Sequence, residues 1–158
     1  MTRTTALAAL LLASGCASYG GAGLRPGVDA KPQVLAVMGE PQARYPEPAG
    51  EAWAYPRGPA GFDTFIARFD AAGRLTALDK VLDPAHFARI VAGMSPLDVG
   101  RAIGPPWRKE RFASRGETAW DYRFMDTWGY PSQFSVIFDA RNLVLRTHAF
   151  REPYDQDD

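Results

Sequence analysis

Ser95-Pro96-Leu97-Asp98-Val99-Gly100-Arg101-Ala102-Ile103-Gly104-Pro105-Pro106 decides the fold, because its pattern occurs twice in the chain. Ser95 is a good N-cap and Pro96 suits the first helical position. Asp98 stands where the acid of a capping box belongs. Val99, Ala102 and Ile103 form an i, i+3, i+4 apolar stripe. Gly104 can take a left-handed C-cap conformation, and Pro105-Pro106 prevents continuation. At an offset of 65 residues, Val34, Val37 and Met38 repeat the stripe and Gly39-Glu40-Pro41 repeats the stop. Asp29 is the expected cap of this earlier helix.

The likeness continues downstream. Trp53-Ala54-Tyr55 matches Trp120-Asp121-Tyr122 at an offset of 67, and Phe69-Asp70-Ala71 matches Phe138-Asp139-Ala140 at 69. Small loop insertions produce such a drift. Two copies are too few for a solenoid, so a tandem pair of small units is expected. The second copy has a further helix, capped by Asp83, started by Pro84, striped by Phe87, Ile90 and Val91 and ended by Gly93. Leu24-Arg25-Pro26-Gly27 is its remnant in the first copy. Strands are expected over 51–56, 62–70 and 74–82, and again over 107–113, 118–125, 132–139 and 143–150. Phe65/Ala67/Phe69 and Phe134/Val136/Phe138 alternate as half-buried antiparallel strands do. Gly73 and Asn142 suit the tight turns before the last strand of each set. The expected class is α+β, two tandem units each with short helices packed on a small antiparallel sheet. The units span 24–82 and 83–152, followed by an acidic tail over 153–158.

The N-terminus sets the compartment. Arg3 gives a small positive region, and Ala6 to Ala13 is an unbroken apolar run. That run is too short to span a bilayer, which needs about 20 residues. It leads through Leu12-Ala13-Ser14-Gly15 to Cys16, the only cysteine. This resembles the bacterial lipoprotein lipobox, with Ala13 where Leu is usual. A signal peptide over 1–15, Cys16 as lipid attachment site and a flexible tether over 16–23 are the expectations. Removing 1–15 leaves 143 residues with 17 basic and 18 acidic side chains. Near-zero net charge argues against nucleic acid as a partner. With Cys16 acylated no thiol remains for a disulfide, so the fold must hold by its core. Ala17 follows the cysteine, where enterobacterial sorting places an acid to retain a lipoprotein in the inner membrane. The resemblance implies the outer membrane, lipid-anchored and facing the periplasm.

Gly93-Met94-Ser95, Val99, Ile103-Gly104-Pro105-Pro106, Trp120-Asp121-Tyr122 and Phe138-Asp139 together resemble the SmpA/OmlA outer-membrane lipoprotein family, which includes the BamE-type subunit of the β-barrel assembly machinery. The first copy carries a degraded version, and the likeness covers about 24–150. A family unit has two helices and three strands. A tandem pair of such units resembles the β-lactamase-inhibitor-protein fold, whose two sheets offer a concave protein-binding surface. The resemblance implies a non-catalytic protein-interaction module in outer-membrane protein assembly or envelope maintenance. Its partners would be the membrane, through lipidated Cys16, and another envelope protein such as a β-barrel assembly component. The alternative is a periplasmic inhibitor or ligand-binding module that uses the concave face.

The residues give catalysis little footing. Gly93-Met94-Ser95-Pro96-Leu97 lacks the closing glycine of a nucleophile elbow. No phosphate loop or dinucleotide fingerprint occurs. His86 and His148 are isolated, whereas metal sites use clusters. Asp63, Asp70, Asp79 and Asp83 fall at expected strand ends and turns. The expectation is no enzyme, no cofactor and no metal. Trp53, Tyr55, Trp120 and Tyr122 recur in both copies and are expected to pack between helix and sheet, with both tryptophans largely buried. Trp128 and Tyr130, on the Gly/Pro loop between two strands, are candidate partner-binding residues, with Trp107 a third. The competing reading folds these rings back over the sheet end.

Overall fold

The structure is a computed structural model and describes residues 19–58 and 61–153. The signal sequence, Cys16 and the last five residues lie outside the described residues. The chain runs α1 (Lys31–Met38), β1 (Ala43–Glu47), β2 (Gly50–Arg57), β3 (Asp63–Asp70), β4 (Leu75–Lys80), α2 (Pro84–Phe87), α3 (Pro96–Ile103), β5 (Arg108–Phe112), a 3-10 turn (Ala113–Arg115), β6 (Glu117–Met125), β7 (Pro131–Phe138) and β8 (Val144–Arg151). Strands β1 to β4 make one antiparallel sheet and β5 to β8 a second, each in sequence order.

The α+β class is corrected. Strand accounts for 44% of the structure and helix for 17%, so the protein is mostly β. Two local outcomes explain the difference. The helix expected to run from Pro84 to Gly93 ends at Phe87, and Val91 is exposed. The strand β1 was not expected, because Pro46 interrupts it and its apolar alternation is confined to Ala43 and Tyr45. Pro46 is tolerated on an edge strand, whose outer side owes no ladder hydrogen bonds.

The copies fold alike in detail. Helix α1 ends on Gly39 at φ 78°, ψ −165°, and α3 ends on Gly104 at φ 80°, ψ −169°. This is not the left-handed cap expected, but a region that essentially only glycine occupies. Trp53 meets Phe69 with ring centres 4.6 Å apart at 57°, and Trp120 meets Phe138 at 4.9 Å and 59°. Asp70 Oδ1 accepts the backbone N–H groups of Ala72 and Arg74, and Asp139 Oδ1 accepts those of Arg141 and Leu143. The ladders shift register at Arg68/Phe69 and again at Ile137/Phe138. Gly27 N–H donates to Leu75 O as Gly93 N–H donates to Val144 O, so the remnant keeps its backbone role.

The caps differ more. The Ser95–Asp98 box forms as expected, with Asp98 N–H donating to Ser95 Oγ and Ser95 N–H to Asp98 Oδ2. The Ser95 bonds hold the Asp98 carboxyl below the usual aspartate range. Asp83 caps α2 through His86 N–H. Asp29 does not cap α1. The N-cap is Ala30, and Asp29 accepts from Arg25 N–H instead. The expected tether is packed from Tyr19 onward, with Tyr19 Oη donating to Asp63 and Gly20 lying against the Phe65 ring.

Neighbouring residues of a strand point to opposite faces, so each sheet has two faces to cover. Val34 and Met38 of α1 cover Trp53, Tyr55, Ala67 and Phe69 on one face of the first sheet. Val99 and Ile103 of α3 share a second cluster with Ala52, Ala54 and Ile66 on its other face, and with Tyr122, Phe134, Val136 and Phe138 of the second sheet. The layers therefore run α1, first sheet, α2 with α3, second sheet. Burying Val99 and Ile103 fully contributes about 1.5–3 kcal/mol each before entropy is counted.

Candidate functional site

The outer face of the second sheet has no helix over it, alone among the four sheet faces of the described residues. On the corresponding face of the first sheet, α3 makes close contact. Tyr45 lies against Gly100, Arg68 donates to Arg101 O at 2.9 Å, and a Cβ built on Gly104 would stand 2.8 Å from Thr64 Cγ2. That face is apolar at Ala52, Ala54 and Ile66. Its repeat equivalents on the second sheet are Ala119, Asp121 and Ser135.

Asp121 and Ser135 are only 3% and 2% exposed, although no other layer covers them. Their neighbours' long side chains shield them. A buried carboxylate without partners would cost several kcal/mol. Arg108 donates twice to Asp121 Oδ2, at 3.0 and 2.9 Å, and Ser135 Oγ donates to Asp121 Oδ1 at 2.6 Å. Gln133 completes the chain by donating to Ser135 Oγ. Beside this network Arg146 donates to both oxygens of Glu117 at 3.0 Å. That bidentate pair holds the Glu117 carboxyl below the usual glutamate range. A groove of about 280 Å³ runs over the face, with Phe112, His148 and Phe150 among its walls.

Ser135, His148 and Asp121 share this face, and Ser135 pairs with His148 across β7 and β8. Nucleophile activation needs the hydroxyl to donate to a base that a third group orients. Here the Ser135 hydroxyl donates directly to the carboxylate. The trio is a packing network, suited to polar recognition and not to acyl transfer. Among the described residues, no group of three or more His, Cys, Asp or Glu could hold a metal ion, and no helix is long and apolar enough to cross a membrane.

The sequence candidates lie elsewhere. Trp128 is 78% exposed and Tyr130 is 48% exposed, so neither folds back over the sheet end. Asp126 builds their loop. Its Oδ1 accepts Trp128 N–H at 2.8 Å and Tyr130 N–H at 2.9 Å, and its Oδ2 accepts Arg151 Nε at 2.7 Å. The Arg151 guanidinium then lies 4.4 Å over the Tyr130 ring. Trp107, half exposed, belongs to a separate cluster, in which the Arg123 guanidinium stands 5.4 Å from its ring and 4.5 Å from Phe62. Trp53 is buried as expected, but Trp120 is partly exposed, with the Lys109 ammonium 4.3 Å above its ring.

The Arg108–Asp121–Ser135 network escaped the sequence reading, which searched for catalytic spacing. The signal was present in the repeat itself, as apolar Ala54 and Ile66 become Asp121 and Ser135.

No family model matches the chain, and no curated protein matches it. Among solved structures it is similar to a DUF4309 family protein, YjgB, from Bacillus subtilis, at 13% identity. The likeness covers 83% of this chain and 84% of that one with a TM-score of 0.33, too low to carry an argument.

Proposed function

We propose that this chain is an outer-membrane lipoprotein, anchored through Cys16 on the periplasmic side, and that it works as a non-catalytic module holding another envelope protein. The lipobox-like run before Cys16 and the resemblance to SmpA/OmlA proteins support the anchor and the compartment. The observation that carries the interaction reading is the uncovered face of the second sheet, whose counterpart in the first sheet receives a helix. Alternating charge at Arg108, Glu110, Arg115, Glu117 and Arg146 offers ion pairs that a polar partner can share. A β-barrel assembly component is the partner class the resemblance implies. The alternative, an inhibitor or ligand-binding module, would want an aromatic-rich face. This face sets Phe112 and Phe150 among ion pairs, which favours the scaffold reading.

A charge swap tests it. Arg146→Glu with Glu117→Arg keeps an intramolecular pair while reversing the charges a partner meets. A photo-crosslinking residue at position 148 should capture one envelope protein in intact cells. The swap should abolish that capture with the melting temperature unchanged. Unaltered capture by the swapped protein would remove this face from the function.

A further inference from the structure

We propose that the end of the molecule bearing Trp107, Trp128 and Tyr130 rests in the headgroup interface of the membrane that holds Cys16. The inference rests on the anchoring reading above and adds a second contact to it.

The turn between β2 and β3, the loop between β6 and β7, the start of β5 and the end of β8 share one end of the molecule. Gly61 of the first turn lies against the Trp107 ring, and Arg123, near the end of β6, stacks over Phe62. The chain comes in at this same end. Tyr19 Oη donates to Asp63 Oδ2 at 2.8 Å, and Asp63 opens β3 directly after that turn. Tyr19 is three residues past Cys16, so the Cα of Cys16 can lie no further than about 11 Å from that of Tyr19. The lipid anchor and the exposed aromatic rings are therefore held at the same pole.

The chemistry of the pole fits a lipid interface. Tryptophan and tyrosine pair an apolar ring body with one polar group, and they concentrate at the headgroup level of membranes. Trp128 stands 78% exposed on a loop already fixed by Asp126, so little ordering remains to oppose insertion. The arginines here are spoken for. Arg151 pairs with Asp126, Arg123 pairs with Glu152 and Arg57 donates to Met38 O, so the pole offers little cationic excess to an anionic surface. Three aspartates in the last four residues follow Pro153, next to Glu152 whose N–H donates to Pro131 O at this pole. Docking thus comes from ring partitioning and not from charge. Strands running up from this pole would set the uncovered face of the second sheet sideways, toward a neighbour in the same membrane.

The test uses the mature acylated protein on vesicles of zwitterionic phosphatidylcholine and phosphatidylethanolamine, some lipids carrying bromine on the acyl chain. Bromine quenches tryptophan at short range. Wild type should be quenched, most of that quenching should be lost in Trp128→Phe, and raised salt should leave it unchanged. Mass spectrometry of the same sample reports the acyl chains on Cys16. Absence of that mass refutes the anchor, and the quenching then decides the docking alone. An acylated, vesicle-bound protein whose Trp128 emission stays unquenched would overturn the docking. So would a Trp128→Ser/Tyr130→Ser variant that keeps its quenching but loses the crosslink from position 148, because the rings would then belong to a protein partner.

Discussion

The two units share one backbone design and spend their side chains differently. Tyr55 and Tyr122 are repeat equivalents, both 1% exposed. Tyr122 Oη donates to Gly104 O at 3.1 Å, whereas Tyr55 Oη has no hydrogen-bond partner among the described residues. Burial pushes the Tyr55 hydroxyl up to about 12 and holds the Tyr122 hydroxyl well above the usual tyrosine range. Leu35 of α1 becomes Gly100 in α3, because α3 must fit between two sheets and α1 covers only one. A repeated fold therefore tolerates divergence wherever the number of neighbours differs.

The largest expected break in this comparison is at the tryptophans. Trp53→Ala should cost about 3–5 kcal/mol, as for a large core deletion. Trp120→Ala, at a partly exposed site, should cost about 2 kcal/mol. Denaturant titration of both variants gives the difference, and equal losses would mean that exposure does not distinguish the sites.

Gly100→Leu, which restores the residue found in α1, comes next. A Cβ at Gly100 would stand 2.5 Å from Tyr45 Cε1, so α3 must move away from the first sheet. The expected loss is about 2–3 kcal/mol of overpacking. Tyr45→Ala in the same chain should recover part of it, a coupling that a double-mutant cycle measures.

The tyrosine pair gives the smallest effect and the cleanest sign. Tyr122→Phe leaves the Gly104 carbonyl buried and unpartnered, costing about 1–2 kcal/mol. Tyr55→Phe removes a hydroxyl that already lacks a partner, and should leave stability unchanged or slightly higher. A loss at Tyr55 equal to that at Tyr122 would show that its hydroxyl is satisfied in solution.

Much of the repeat was legible because its signals are local. Ser95, Asp98, Asp83 and Gly104 act within one helical turn, and a reader of spacing finds them. Strand β1 was not legible by that route, since Ala43 and Tyr45 alternate over too short a run before Pro46. Its place is defined by pairing with β2, a long-range fact. The repeat offset does point to it, because Ala43 stands 65 residues before Arg108, the first residue of β5. The fate of Trp120 also depends on distant coverage that no local pattern records. Trp128 and Tyr130 were legible because a loop tip bounded by Gly129 and Pro131 gives large rings little to fold back upon. Asp126, which fixes the loop, carries no distinctive signal in the sequence, since aspartate is common in turns.

The exchange of Ala54 and Ile66 for Asp121 and Ser135 also bears on growth. A unit that accepts its neighbour's helix on one face carries an instruction with no natural end. Repeated between molecules, such a head-to-tail contact does not close and builds a fibre. An apolar second outer face would invite α1 of another copy to dock as α3 docks within the chain. The buried carboxylate and its arginine make that addition costly, since an apolar helix would strip Arg108 and Glu117 of water and offer them nothing in return. The substitution disfavours that head-to-tail addition and leaves the face to a partner with polar groups of its own.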